Sequence, residues 1–181
     1  MPSPKEKSYT SEDYWNLPEG ERAELIDGQL YSMALPGRMH QKIIMELSAA
    51  LHDYIRTQDG VCEVYPAPFA VNLDAKDRDW VEPDISVICD TNKLTDRGCS
   101  GAPDFIIEVI SPSTQGLDYL RKLLLYQKSG VREYWIVNPI TRNVNIYTFY
   151  NNNSASYSFG DSIPVGIYGG RLSICIAELL N

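Results

Sequence analysis

Two acidic residues and a lysine lie in segments that are otherwise strongly apolar. Glu108 interrupts the run from Asp104 to Ile110 (DFIIEVI), a pattern typical of a central strand buried on both faces of a sheet. Asp84 stands at the start of a second apolar strand, and Lys122 lies among leucines in a helical stretch. An isolated ionised carboxylate is very costly to bury, so Glu108 needs a cation, a metal ion or a proton beside it.

Two carboxylates and a lysine at one end of a sheet suit the hydrolysis of phosphodiesters. Magnesium is bound in proteins by one or two carboxylates together with waters and substrate oxygens, and it lowers the pKa of bound water. A lysine adds a positive group near the nucleophile or the phosphorus. Glu108 is near the carboxyl end of its strand, where sites in open sheets gather. The sequence therefore predicts a metal site at Asp84 and Glu108, with Lys122 next to it.

The helix that carries Lys122, predicted over about Gln115–Ser129, has two rows of side chains. An apolar row at i, i+3 and i+7 consists of Leu117, Leu120 and Leu124. Lys122 and Tyr126 lie in a separate row on roughly the opposite side. Because leucines flank this second row, we expect Lys122 to be partly desolvated.

The remaining patterns predict a mixed β-sheet core flanked by helices, an α/β fold. The predicted helices are a short one capped by Thr10, a long amphipathic one from Arg38 to about Gln58, and one over 115–129. The predicted strands are a hairpin turning at Asp27-Gly28 and single strands at residues 62–66, 69–73, 84–88, 104–110, 132–138 and 143–150. A final strand runs into a short helix within 171–181. We expect residues 1–8 to be loose and residues 9–181 to form one domain.

Several fragments resemble the restriction endonuclease family of the Uma type, a member of the PD-(D/E)XK nuclease superfamily. They are AELIDGQL, VEPDISVI, GAPDFIIEVISPST, DYLRKLLLYQKSGVREYWIV and the histidine of GRMHQKI, and the resemblance covers roughly residues 10–150. It implies a restriction-endonuclease-like fold, dependence on Mg²⁺ or Mn²⁺, and DNA as the substrate.

The same resemblance implies five site residues. By position, Glu24 is the first acidic residue, Asp84 the aspartate of PD, and Glu108 the glutamate of the second motif; His40 is placed near the site. The superfamily's lysine two residues after the glutamate is replaced here by Ile110, and the family supplies it from the following helix, as Lys122. The family often has an aspartate where this chain has Asn138.

Each candidate also has an ordinary structural interpretation. Asp84 could accept a loop amide at a strand start, Glu108 could pair with Arg121, Lys122 could extend to solvent as helical lysines usually do, Glu24 could lie on a solvated face, and His40 could be merely structural or exposed. Two other functions stay open. One is a catalytically inactive interaction or regulatory module with the same fold, and the other is a metal-dependent hydrolase of a small phosphorylated compound.

The bulk properties limit the partners of the protein. The net charge of −8 argues against a general nucleic-acid binder, although the local field at a site can differ.

Four scattered cysteines form no CxxC pair; we expect reduced thiols, with Cys89 and Cys175 as small core residues. A signal peptide and a membrane-spanning run are not predicted, which indicates a cytoplasmic protein. Because cutting both strands of a duplex is most simply done by a two-fold dimer, we also expect a homodimer.

Overall fold

The computed structural model describes residues 8–74, 77–111 and 117–181. In that part of the chain the strands form two six-stranded sheets and one two-stranded pair, accompanied by four α-helices. The predicted loose N-terminus, residues 1–8, lies outside the described residues except for Ser8. Among the described residues, no helix combines the length and the apolar character needed to cross a membrane.

The larger core is built on what we call the central sheet. In spatial order, this sheet contains β12 (Asn153–Ser158), β11 (Asn143–Thr148), β10 (Glu133–Asn138), β9 (Phe105–Val109), β6 (Ile85–Ile88) and β3 (Glu63–Pro66). β9 and β10 run parallel, and the other neighbours are antiparallel. A parallel pair needs a long crossover, which here contains a helix. The predicted mixed sheet with helices is confirmed.

A second sheet, the flanking sheet, lies on one side of this core. In spatial order, it contains β2 (Gln29–Ser32), β1 (Ala23–Ile26), β5 (Trp80–Val81), β4 (Val71–Asn72), β8 (Gly98–Ser100) and β7 (Leu94–Thr95). The two-stranded pair is β13 (Ile163–Pro164) with β14 (Ser173–Ile174). The strand predicted from Asp84 is β6 of the central sheet, and Trp80–Val81, for which no strand is predicted, form β5 of the flanking sheet.

The four helices are α1 (Ser11–Trp15), α2 (Arg38–Thr57), α3 (Leu117–Ser129) and α4 (Ile176–Leu179). Short 3₁₀ turns occur at Thr91–Lys93, Phe149–Asn151 and Gly166–Tyr168. Thr10 caps α1 as predicted, in a capping box with Asp13. The β1–β2 hairpin turns at Asp27 and Gly28, whose φ angles of 48° and 75° suit a type I′ turn.

The two faces of β9 pack against different partners. Phe105, Ile107 and Val109 belong to the core that α2 covers with its apolar face. Ile106 and Ile110 belong to the core on the opposite face, which contains Tyr126 of α3. Glu108 shares this second face by strand alternation, so the sequence prediction that positions 106, 108 and 110 lie together is confirmed.

The apolar row predicted for α3 does not face the core. Leu120 and Leu124 are 56% and 57% exposed, whereas Lys122 and Tyr126 are buried; the side chain of Leu117 lies outside the described part. The helix is turned this way because the core face of β9 offers the carboxylate of Glu108, which a leucine could not satisfy. The expectation that Lys122 is partly desolvated is therefore confirmed.

Two further expectations are wrong. Cys89 is not a core thiol but forms a disulfide with Cys62, so the expectation of wholly reduced cysteines also fails. The register explains the bond: Glu63 pairs with Ile88 across β3 and β6, which places Cys62 and Cys89 at the next pair of positions. Tyr134 is fully buried because β10 is an interior strand covered by Tyr126.

Candidate active site

One cavity of about 330 Å³ brings all five candidate residues together. It opens between the β1–β2 hairpin, the start of α2, the ends of β6 and β9, and α3. The candidates that line it are Glu24, His40, Asp84, Glu108 and Lys122. They come from five separate elements or their flanks, so the fold, rather than any local motif, forms this site.

The pairing of β6 with β9 sets the relation between the two predicted metal ligands. Ile85 pairs with Ile107, and the next pair along the antiparallel strands places Asp84 opposite Glu108. Side chains of directly opposite residues lie on the same face of a sheet. Both residues are 9% exposed and line the same cavity. Asp84 and Glu108 therefore face one common space.

Asp84 is held by one of its two oxygens. The backbone N–H of Val109 donates to Asp84 Oδ2 at 2.7 Å, and His40 Nε2 lies 3.2 Å from the same oxygen. The bond to a backbone amide is the ordinary role expected for such a residue, but it engages Oδ2 alone. No described residue donates a hydrogen bond to Oδ1.

His40 reaches the site from the first turn of α2. Burial lowers its pKa, but the hydrogen bond and the charge of Asp84 raise it by more, so the net pKa lies above the ordinary value. Its Nδ1 is buried and has no hydrogen-bond partner among the described residues. The histidine is thus directed at Asp84 and is not an exposed helical side chain.

Lys122 bridges two carboxylates. Its Nζ donates to Glu108 Oε1 at 2.9 Å and to Glu24 Oε1 at 3.0 Å, and it lies 2.9 Å from Glu24 Oε2. Lys122 is 7% exposed and Glu24 is 5% exposed. The interpretations of a lysine reaching for solvent and of Glu24 on a solvated face are therefore wrong. Arg121 does not pair with Glu108; its guanidinium lies over the ring of Tyr31.

Tyr126 is a contact that the sequence indicated only through its spacing. One helical turn after Lys122, its hydroxyl donates to Glu108 Oε1 at 2.8 Å. Lys122 and Tyr126 therefore act on the same oxygen of Glu108, and no described residue donates to Oε2. The sequence placed Tyr126 in the row of Lys122, which was the available signal, but did not show that this row faces Glu108.

The charges within this cluster do not balance. Lys122 is one cation between two carboxylates, and Asp84 adds a third acidic group nearby. The pKa of Glu108 is raised to about 7, mainly by burial and also by the charges of Asp84 and Glu24, while Lys122 lowers it. Burial lowers the pKa of Lys122, but Glu108 and Glu24 raise it well above its usual value. Lys122 is therefore a permanent cation here, and Glu108 is a carboxylate that a further cation would help to ionise.

The donor set fits a hard divalent cation held by two carboxylates. Asp84 Oδ1 and Glu108 Oε2 accept no hydrogen bond from any described residue, and both residues line the cavity. Within the described residues, no group of three or more His, Cys, Asp or Glu side chains is close enough to hold a metal ion. A metal here would thus rely on two protein carboxylates with water or substrate oxygens, which is how Mg²⁺ is commonly bound.

Comparison with known proteins gives consistent results. The family model named Uma2, described as a putative restriction endonuclease, matches residues 11–166. An uncharacterized protein of Synechocystis sp. is 26% identical over 149 residues, covering 81% of this chain and 77% of that protein. A crystal structure of a putative nuclease from Anabaena variabilis superposes with a TM-score of 0.78 at 20% identity, covering 94% of this chain and 97% of that chain. At this identity the structural match shows a shared fold.

Proposed function

This chain belongs to the Uma2 family of putative restriction endonucleases, and we propose that it is a metal-dependent endonuclease that hydrolyses phosphodiester bonds in DNA. The observation that carries the proposal is the convergence of Glu24, Asp84, Glu108 and Lys122 on one cavity. A fold kept only for its stability would have no need of three carboxylates and one ammonium at the end of an apolar strand, because buried ion pairs are often no more stable than apolar packing.

Asp84 and Glu108 would hold the metal, Mg²⁺ or alternatively Mn²⁺. When bound, such an ion neutralises charge on the phosphate and lowers the pKa of a bound water. Glu108 is suited to this task by its position. The side chains of Lys122 and Tyr126 both donate to Oε1, so Oε2 would remain to bind the metal.

Lys122 would position the attacked phosphate or the attacking water. Its pKa is raised by Glu108 and Glu24, so it keeps its proton and serves as a hydrogen-bond donor rather than as a general base. A fixed positive group of this kind stabilises charge that develops on phosphate oxygens. Glu24 holds the ammonium from the side opposite Glu108 and is itself fixed by the backbone N–H of Glu82, at 3.0 Å.

His40 would assist by holding Asp84. It shares Asp84 Oδ2 with the backbone N–H of Val109, and neither contact uses Oδ1, which would remain to bind the metal. For the cleavage of both strands of a duplex we propose a two-fold homodimer, in which each copy supplies one such site.

A hydrolase of a small phosphorylated compound is the second candidate. The net charge of −8 favours it, because a long polyanion is repelled by the whole surface while a small ligand is governed by the local field. The cavity volume of about 330 Å³ also lies within the range of small-molecule sites.

One experiment compares these functions directly. The wild-type protein is incubated with supercoiled plasmid and, in parallel, with bis(p-nitrophenyl) phosphate, in Mg²⁺, in Mn²⁺ and in EDTA. The proposal predicts plasmid nicking that depends on the metal and is abolished by EDTA. Hydrolysis of the small phosphodiester without nicking would favour the second candidate, and no activity on either substrate would favour the inactive module.

A further inference from the structure

A second cavity, of about 350 Å³, lies beside the candidate active site and is lined by aromatic side chains. We call it the aromatic cleft. Its lining residues used below are Tyr14, Trp15, Pro68, Phe69, Glu82 and Arg97. Pro68 also lines the active-site cavity. The two cavities are therefore neighbours that share one wall.

Trp15 is the exposed member of an otherwise buried aromatic cluster. Tyr14 and Trp80 are 6% and 8% exposed and stack on each other with ring centres 5.6 Å apart. Trp15 packs edge-on against both rings at 5.1 Å, yet it stays 38% exposed. Its ring is therefore fixed in position while more than a third of its surface is open to a ligand.

Two more flat groups border the same space. The guanidinium of Arg97 lies 5.4 Å from the centre of the Trp15 ring. The ring of Phe69 is stacked on Tyr65 with centres 4.2 Å apart, which covers one of its faces and holds it in place. Aromatic rings and arginine planes are the surfaces on which unstacked nucleobases bind, whatever their sequence.

The charge of the aromatic cleft favours a neutral ligand. Glu82 is already engaged, since Arg22 Nε donates to it at 3.0 Å and the Tyr14 hydroxyl donates at 3.1 Å. Asp96 balances the charge of Arg97 on the cleft wall. A phosphate gains little from such a balanced surface, whereas a flat uncharged ring can use the aromatic faces. Arg22 also lines the active-site cavity, so its ion pair with Glu82 links the two cavities.

We propose that the aromatic cleft binds an unstacked nucleobase of the DNA strand whose phosphate occupies the active-site cavity. The inference rests on the proposed function, because it takes the strand in the active site to be DNA. It adds a property that the active site alone does not require: the protein binds single-stranded or locally unpaired DNA more tightly than a continuous duplex, since a paired base must first leave its stack.

The test measures binding without cleavage. In EDTA, fluorescence anisotropy follows a labelled oligothymidylate of about 12 nucleotides, the same oligonucleotide as a duplex, and a fully abasic strand of equal phosphate charge. The proteins are the wild type, Trp15→Ala, Trp15→Phe and the control Tyr150→Ala, which removes another exposed aromatic ring outside both cavities. Thermal melts establish that each variant is folded.

We expect a large loss of affinity only for Trp15→Ala, and only with the single-stranded oligothymidylate. Trp15→Ala weakens binding of the single strand by roughly 5- to 150-fold, the range for one stacked base. Trp15→Phe keeps most of the affinity, Tyr150→Ala keeps all of it, and Trp15→Ala has no effect on the abasic strand.

Three outcomes would overturn the proposal. Equal affinities of the wild type and a folded Trp15→Ala for the single strand would remove the base site while leaving the endonuclease function intact, if the wild type nicks plasmid. An equal loss on the abasic strand would show that Trp15 acts on the backbone and not on a base. A wild type that neither binds any of the three probes nor nicks plasmid would overturn the proposed function and this inference together.

Discussion

Replacing Lys122 by methionine removes the cation that bridges Glu24 and Glu108 while keeping a side chain of similar length. The two carboxylates are 5% and 9% exposed, so solvent screens their charges only weakly after the ammonium is lost. Removing one partner of a buried ion pair costs about 3–5 kcal/mol, because the remaining charge is left uncompensated. We therefore expect Lys122→Met to lower the free energy of unfolding by about that amount near pH 8.

The stability that Lys122→Met loses should increase as the pH rises. The pKa of Glu108 is already raised to about 7 in the folded protein. The contribution of Glu108 to stability is therefore fully present below its ordinary pKa in the unfolded chain and is lost as the pH rises through about 7. Without Lys122 the folded pKa rises further, since Lys122 is the group that lowers it. The difference in stability between Lys122→Met and wild type should thus be small near pH 5 and largest near pH 8.

Denaturant unfolding at both pH values, paired with an NMR titration of Glu108, measures these effects. The matched control is Lys128→Met, on an exposed position of the same helix, which should change stability by less than about 0.5 kcal/mol. A Lys122→Met protein as stable as the control near pH 8, or an unchanged pKa of Glu108, would show that Lys122 does not neutralise the buried carboxylates.

Three other replacements test neighbouring features of the site and the fold. Glu108→Gln keeps the shape and removes one of the excess negative charges while Glu24 stays paired with Lys122, so in EDTA near pH 8 its thermal stability should be unchanged or higher by about 1 kcal/mol; a protein that melts far lower would show that Glu24 alone does not compensate the buried ammonium. Tyr126→Phe removes the 2.8 Å hydrogen bond to Glu108 and should cost about 1–3 kcal/mol in urea unfolding, with a higher pKa of Glu108 in an NMR titration. Replacing both Cys62 and Cys89 by serine opens a loop with a sequence separation of 27 and should cost about 3–4 kcal/mol in oxidising urea unfolding; equal stability of variant and wild type would mean that the bond does not form in solution.

The regular elements could be predicted because their signals are local. The periodicity of Ile43, Leu47 and Leu51 defines α2, and the Asp27-Gly28 dipeptide defines the hairpin. Strand alternation around Glu108 gave the correct faces of β9 for the same reason. Polar residues in apolar segments indicated that Asp84, Glu108 and Lys122 converge. The addition of Glu24 and His40 came from the family resemblance, since neither has a local relation to the others in the chain.

The features that the sequence did not predict depend on contacts between distant segments. The row of α3 that faces the core is decided by Glu108 and Glu24, so the exposure of Leu120 and Leu124 does not follow from the helical pattern alone. The Cys62–Cys89 bond follows from the register of β3 with β6, which no local pattern shows.

The most direct test of the central claim is plasmid cleavage by Glu108→Gln beside the wild type. Both proteins are assayed in Mg²⁺ at equal concentration, after melts in EDTA have shown that the variant is as stable as the wild type. If Asp84 and Glu108 together hold the catalytic metal, the wild type nicks the plasmid and the variant loses metal-dependent nicking, by on the order of 100-fold or more. A folded Glu108→Gln protein that nicks plasmid at the wild-type rate would contradict the account.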